Sequence, residues 1–308
     1  MFIESFVLPD EYTEEKLIKE RMAYNGGMYG YIDNIYPCNI FNKKGLAYLL
    51  FDKVTIFYGG NGSGKSTLLN LISNKLELKR MAPFNSSELF SAYTYECNYE
   101  MVCDDEGFKH KIPDGSRIIT SDDVFDYMLA VRVNNVEIAE SIEDGREEYA
   151  RLKFGETIKF RGLQDYELLR MQVLSRSKSV SRRKFLQKTA GSEAKLNSNG
   201  ETALEYFNTR IEMDRLYCLD EPENSLSPKH QMELVEMLEK RAHYCGCQFI
   251  IATHSPFLLA ISGAKIYDLD SYPARIRDWW ELENPKLYYD FFMRHKDKFE
   301  SGIDKLRR

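Results

Sequence analysis

From Val54 the chain runs through an apolar β-type stretch, Val54-Thr55-Ile56-Phe57-Tyr58, into Gly59-Gly60-Asn61-Gly62-Ser63-Gly64-Lys65-Ser66-Thr67, and then into the helical pattern Leu68-Leu69-Asn70-Leu71-Ile72. No other stretch restricts the fold as much. The turn fits G-x-x-x-x-G-K-[ST], with Gly59, Gly64, Lys65 and Ser66 at the fixed places and the required strand before and helix after. The residue types follow from the chemistry. Glycines let consecutive backbone N–H groups point inward at a polyphosphate, and the helix that follows aims its positive end at the same anion. Lys65 then suits a bridge between β and γ phosphates, and the Ser66 hydroxyl suits Mg²⁺. Asn61, Gly62, Ser63 and Thr67 complete the cradle. An ordinary strand-to-helix turn has no reason to place four glycines, a lysine and two hydroxyls in this order.

With 308 residues the chain is long enough to bury a substantial core, as one large domain or two ordinary ones. Its net charge of -6 excludes a protein coated in positive charge, so any nucleic-acid contact has to come from a local patch. No charged-then-apolar leader and no apolar run of membrane length is read, and the expected location is the cytoplasm. The six cysteines, Cys38, Cys97, Cys103, Cys218, Cys245 and Cys247, form no C-x-x-C pair. Cys245-Gly-Cys247 lacks the second pair that would complete a metal site, so structural thiols are expected.

Two further apolar strands end in chemistry. Leu216-Tyr217-Cys218-Leu219 delivers Asp220 and Glu221, which suit a Mg²⁺ held through water and a base that polarises an attacking water. Alone, an apolar run ending in Asp-Glu commonly does no more than finish a strand. Here it lies 155 residues after Lys65 and is followed by Pro222-Glu223-Asn224-Ser225-Leu226-Ser227-Pro228. Gln248-Phe249-Ile250-Ile251-Ala252-Thr253 delivers His254, 34 residues after Asp220, at the strand end where ligands of parallel sheets gather. That position favours a γ-phosphate sensor over a structural histidine. Ser198, Gly200 and Glu201 open a helical pattern through Ala203, Leu204, Phe207 and Ile211, which by itself reads as a plain helix cap; the position of Ser198, 22 residues before Asp220, raises the reading of a second anion-binding end.

The remaining segments are less specific. Met1 to Leu8 and Cys38 to Phe51 read as β-rich around a helical stretch at Glu14 to Met22. They suit a side sheet on which a base rests; Tyr31, Tyr36 and Phe41 are available to stack, although core packing is the plainer role for each. Glu88 to Val102 has strand character, and Asp122 to Arg170 reads as a small helical lobe with periodicity too broken for a long coiled coil. Ser175 to Lys195 sets seven basic residues, Arg182, Arg183 and Lys184 among them, against the single acid Glu193. It is either a solvated surface segment or a patch for DNA, RNA or an acidic partner. Ala264 to Leu269 reads as a last core strand, and Phe291 to Arg308 as a charged helical tail.

Taken together, these segments resemble the ATP-binding cassette ATPases, in the soluble branch that includes SMC, RecF and single-domain AAA-family ATPases rather than transporter subunits. The residues that carry the resemblance are Gly59 to Thr67, the signature-like Asn197-Ser198-Asn199-Gly200-Glu201, Leu216 to Glu221, Glu223 to Pro228, and His254. It implies an α/β P-loop NTPase fold of the ABC type: a mixed central sheet flanked by helices, an antiparallel N-terminal side sheet and an inserted helical lobe. The expected division is one ATPase domain over 1–308, with its core at about 1–118 and 202–308 and the insertion at about 119–201. It implies ATP and Mg²⁺ as ligands and a head-to-tail homodimer, in which ATP on Lys65 and Ser66 of one subunit is closed over by Ser198, Gly200 and Glu201 of the other. Glu221, Lys65 and His254 then carry hydrolysis, and Ser66 and Asp220 hold the metal.

The signature lacks the transporter Leu-Ser-Gly-Gly-Gln form, and Asp122, Asp123 and Gln164 all stand as candidates for the family's Q-loop position. No appended nuclease of the kind carried by overcoming-lysogenization-defect proteins is read, so an effector such as a nuclease or toxin is expected in another chain. The expected activity is Mg²⁺-dependent ATP hydrolysis that regulates such an effector or acts on nucleic acid, in DNA maintenance or phage defence. The alternatives are a nucleotide-gated binding module with slow turnover and, less favoured, the ATPase subunit of a membrane transporter.

Overall fold

The computed structural model of the chain describes residues 1–24, 34–84, 86–104, 106–154, 166–176 and 198–300. Three strands dominate the core because their sequences are apolar throughout. β3 (Val54–Tyr58) and β7 (Gln248–Thr253) are buried at every position, and β6 (Leu216–Asp220) at all but its last residue. Strands buried on both faces read as continuous apolar runs, which is the mark of a parallel sheet covered by helices. The sheet has the order β5-β6-β7-β3-β8-β9, completed by β5 (Arg117–Thr120), β8 (Lys265–Asp268) and β9 (Arg275–Ile276). Every pairing is parallel except the short β8–β9 ladder at one edge.

A second sheet, order β2-β1-β4, is antiparallel and is built from β1 (Ile3–Val7), β2 (Tyr48–Leu50) and β4 (Asn98–Met101). Ile3, Phe6 and Leu49 of this sheet share one apolar core with Phe57 and Ile250 of the larger one and with Leu68 and Ile72 of the helix Lys65–Lys75. The join is also polar. The fully buried Gln248 accepts from the Phe2 and Ile3 amides at 2.8 and 3.0 Å and donates to the carbonyls of Ile3 and Asp52 at 2.8 and 3.2 Å. All four hydrogen-bonding capacities of that amide are used.

By its internal contacts the chain divides into two compact units, one of Met1–Phe125 with Ala203–Arg308 and one of Asp126–Thr202. The second unit is helical in its described part. It contains most of the 34-residue helix Ser121–Phe154, the helix Tyr166–Arg176 and the start of the helix Asn199–Arg210. Within it, Arg176 Nε donates to the Leu152 carbonyl at 3.2 Å and Arg132 to Asn199 Oδ1 at 2.7 Å.

Several segments differ from their reading in the sequence. Glu88 to Val102 is a helix, α3 (Glu88–Glu96), followed by β4. Ser87 caps that helix by accepting from the Phe90 amide at 3.0 Å, and Leu89, Phe90 and Tyr93 bury one face. Of Cys38 to Phe51 only Tyr48–Leu50 is a strand, because a 3₁₀ turn at Asn42–Lys44 ends on Gly45 at φ +62°. The helix α1 (Glu11–Tyr24) lies where helix was read. Four cysteines are buried, and burial pushes the Cys38 thiol up to about 12.

Candidate functional site

Because five strands run parallel, their C-terminal ends share one edge of the sheet. Tyr58 pairs with Thr253 and Asp268, and Asp220 with Ala252 and Thr120, so the residues that follow β3, β6 and β7 emerge side by side. Open α/β sheets bind ligands at this edge.

After β3 the glycine turn closes onto the helix α2 (Lys65–Lys75), with Gly64 at its N-cap and φ +100°. A β-carbon there would lie 3.0 Å from Ile40 Cγ2 and 3.2 Å from the Phe41 ring, so the conformation and the space both require glycine. A β-carbon on Gly59 would meet Ser63 Oγ at 2.6 Å. The loop is thus drawn tight around Lys65, whose side chain is only 4% exposed. Lys65 Nζ donates to the carbonyls of Gly59 at 2.8 Å and Gly60 at 3.0 Å, and lies 3.6 Å from Glu221 Oε1.

A second lysine holds the loop from behind. The buried Lys44 donates to the carbonyls of Ser63, at 2.8 Å, and Leu269. Burial lowers its affinity for its proton, and the charges of Asp270 and Asp268 oppose that effect. Asp270 in turn accepts from the Gly60 amide at 2.7 Å. Neither residue is signalled in the sequence, where Lys44 falls in the Cys38 to Phe51 stretch read as β-rich.

Ser66 Oγ donates to Asp220 Oδ1 at 3.0 Å. Burial pushes the Asp220 carboxyl up to about 6; the Ser66 hydrogen bond opposes the rise and the neighbouring Glu221 charge adds to it. Glu221 leaves β6 with φ +47°, a left-handed conformation that costs a non-glycine residue about 1 kcal/mol and that clusters at functional sites. The turn is fixed by its amide, which donates to the Ala252 carbonyl at 2.9 Å, and by Asn224 Nδ2, which donates to Glu221 Oε2 at 2.9 Å. Its other oxygen, 3.6 Å from Lys65, is 3.9 Å from His254 Nδ1. That His254 nitrogen is buried without a hydrogen bond, while the side chain as a whole stays 43% exposed.

The donor set fits Mg²⁺ and a triphosphate. A hydroxyl and a carboxylate are the hard oxygen ligands that Mg²⁺ takes when phosphates and water complete its shell. A buried lysine whose hydrogen bonds go to carbonyls of its own loop, with one carboxylate at 3.6 Å, fits an anion that would replace those carbonyls. Residues 61–67 and Glu221 line a cleft of about 260 Å³. Beside it a cleft of about 400 Å³ shares Ser66 and Thr67 and is walled by Tyr36, Arg80, Phe84, Asp122 and Asp220. Among the described residues no cluster of three or more His, Cys, Asp or Glu is arranged to hold a metal by itself.

The structure thus brings together Lys65, Ser66, Asp220, Glu221 and His254. Asp123 is not free for the Q-loop position, because its carboxylate accepts from the Ala82 amide and from the Thr120 amide and hydroxyl. Asp122 lines the larger cleft, and Gln164 lies outside the described residues. Tyr36 stacks on Phe90 and donates to Thr67 Oγ1 at 3.2 Å, Phe41 is a core residue, and Tyr31 lies outside the described residues. Ser198 and Glu201 form a reciprocal cap: the Ser198 amide donates to Glu201 at 2.7 Å and the Glu201 amide to Ser198 Oγ at 3.3 Å. Gly200 sits in the first turn of that helix. Of the basic run, Ser175 and Arg176 end the helix Tyr166–Arg176, and 177–195 lie outside the described residues.

Residues 195–260, which include Asp220, Glu221 and His254, match the family described as "AAA domain, putative AbiEii toxin, Type IV TA system". No curated protein matches the chain. Among solved structures it is similar to the SMC head domain from Thermotoga maritima, at 14% identity over 90% of this chain and 99% of that one, TM-score 0.39. It is also similar to the Smc head domain of Pyrococcus furiosus bound to the C-terminal domain of ScpA, at 13% identity over 85% and 95%, TM-score 0.37. A third is a post-hydrolysis dimer of the ATP-binding cassette MJ0796 bound to ADP and Pi, at 14% identity over 75% and 88%, TM-score 0.34. Among the described residues no helix is long and apolar enough to cross a membrane. The phosphate-loop motif and the strand-end carboxylates on a parallel sheet give the chain the site of a P-loop nucleotide-binding protein, and over 195–260 it is similar to that AAA family.

Proposed function

We propose that the protein hydrolyses ATP with Mg²⁺ at the edge formed by β3, β6 and β7, and that nucleotide closes two copies head to tail. The observation that carries this reading is the single carboxylate of Glu221, held 3.6 Å from Lys65 Nζ and 3.9 Å from His254 Nδ1 while Asp220 sits on Ser66. Lys65 leaves the loop carbonyls for the β and γ phosphates and stabilises the charge of the transferring group. Glu221 takes the proton of the attacking water, and His254 holds a γ-phosphate oxygen. Ser66 and, through water, Asp220 would hold Mg²⁺, which supplies charge neutralisation at the phosphates when bound.

Ser198, Gly200 and Glu201 at the start of their helix would cover the nucleotide of the opposite subunit. The γ-phosphate is then the differential contact between open and closed states. The output is the regulation of a separate effector chain or action on nucleic acid, with 175–195 as the contact to DNA or RNA.

The test is light scattering and nucleotide binding on the intact chain. Glu221→Gln is expected to give a dimer in Mg-ATP and a monomer without it, whereas Lys65→Ala loses ATP affinity by a factor of about 100 or more. A Glu221→Gln protein whose mass ignores ATP would overturn the closure. Tight ATP binding with no turnover in the wild type would leave a nucleotide-gated binding module.

A further inference from the structure

We propose that Glu223 is a positioning residue of this site: its carboxylate sets the direction in which His254 meets the nucleotide. The inference rests on the hydrolytic reading above and adds a residue to it. Glu223 lies in the turn after β6, two residues beyond Glu221, and its side chain is 5% exposed. One oxygen, Oε1, accepts from three consecutive residues at the end of β7: Thr253 Oγ1 at 2.6 Å, the His254 amide at 2.9 Å and the Ser255 amide at 3.2 Å. The same oxygen is 3.4 Å from His254 Nδ1.

A structural tie between two strand ends would need only a neutral acceptor. Burying a carboxylate is costly, and the cost is offset where several donors and a basic group converge on it. Here they converge from the one segment that carries His254. The amide is the fixed point, and Nδ1 is buried 3.4 Å from Glu223 Oε1 and 3.9 Å from Glu221 Oε1 without a hydrogen bond to either, so the ring is placed beside both carboxylates while the side chain stays partly exposed.

The grip is completed on the other side. The His254 carbonyl accepts from Asn284 Nδ2 at 3.4 Å, and the Asn284 amide donates to the Tyr58 hydroxyl at 3.1 Å. Ser255 Oγ donates to Gln231 Oε1 at 2.7 Å, and Gln231 donates to the Leu226 carbonyl at 2.9 Å, which laces the same two segments again. Asn224, the next residue of the turn, orients Glu221. One turn therefore sets the base with one side chain and the histidine with the other.

The test is a double-mutant cycle on the intact chain, with Glu223→Ala, His254→Ala and the pair, read by ATP turnover and ATP affinity. Glu223→Ala is expected to lower kcat by about tenfold or more with ATP affinity within about threefold, and to change kcat by less than about twofold in the His254→Ala background. Glu223→Gln, which keeps an acceptor oxygen, is expected to recover part of the loss. Amide hydrogen exchange at His254 and Ser255 is expected to speed up in Glu223→Ala whether or not the protein turns over ATP.

Equal losses of kcat in both backgrounds, or unchanged exchange at 254 and 255, would overturn the role of Glu223 while leaving the hydrolytic reading intact. A wild type without turnover would overturn that reading, and the exchange result would still decide the contact. Should Glu223→Ala not fold, Thr253→Val removes the 2.6 Å bond to Glu223, together with the 3.0 Å bond that the Ser255 amide donates to the same hydroxyl, and is read by the same cycle with a smaller expected loss.

Discussion

The carboxyl of Asp220 shows what this site costs a single residue. Burial raises it from 3.8 to about 6, so the folded chain binds that proton more tightly than the unfolded one. By linkage the contribution to stability is largest in acid, falls as pH rises from about 4 through about 6, and is gone at neutral pH. In Mg-free buffer Asp220→Asn is therefore expected to be more stable than the wild type at pH 8 by about 1–3 kcal/mol and to lose that advantage near pH 4. Urea melts at the two pH values check it; an Asp220→Asn protein less stable than the wild type at pH 8 would contradict it. Glu221, bent into the left-handed region, is a second residue held against its preference. Both lie where stability is given up for a charge placed beside the phosphate loop.

At the scale of elements, the stability of the site depends on strands fixed at both ends. Gln248 begins β7, the strand that leads into His254, and makes four hydrogen bonds to the start of β1 and to the entry of β3. Gln248→Leu keeps the volume but leaves the buried amide and carbonyl of Ile3 without this partner, each costing about 1–3 kcal/mol, and the part-buried groups of Phe2 and Asp52 add less. A loss of about 3 kcal/mol or more is expected by denaturant unfolding; a loss below about 1 kcal/mol would show that the two sheets are joined by apolar contact alone.

The same elements explain how far the fold is legible in the sequence. β3, β6 and β7 are legible because strands buried on both faces leave unbroken apolar runs. α3 is not, because Phe90, Tyr93, Thr94 and Tyr95 favour strands by local preference and only their burial on one face makes a helix. The 34 residues of Ser121–Phe154 read as helical, but nothing in them announces a single long helix, since no sustained heptad runs through them.

In the molecule as a whole, Lys65, Asp220 and His254 are far apart in sequence and adjacent in space because parallel strands bring their C-terminal ends to one edge. That convergence is legible, since each residue closes an apolar run and the motif at Lys65 names its chemistry. Lys44 and Asp270 are not, and neither is the part Glu223 plays under His254. All three bind the backbone of remote segments, and a residue that acts through a carbonyl or an amide leaves no spacing to read.

The central claim is that this edge hydrolyses ATP with Glu221 as the base, and steady-state phosphate release from Mg-ATP by the intact chain tests it most directly. Turnover is expected in the wild type and is expected to fall about 100-fold or more in Glu221→Gln while ATP stays bound. Equal phosphate release by the two proteins would contradict it.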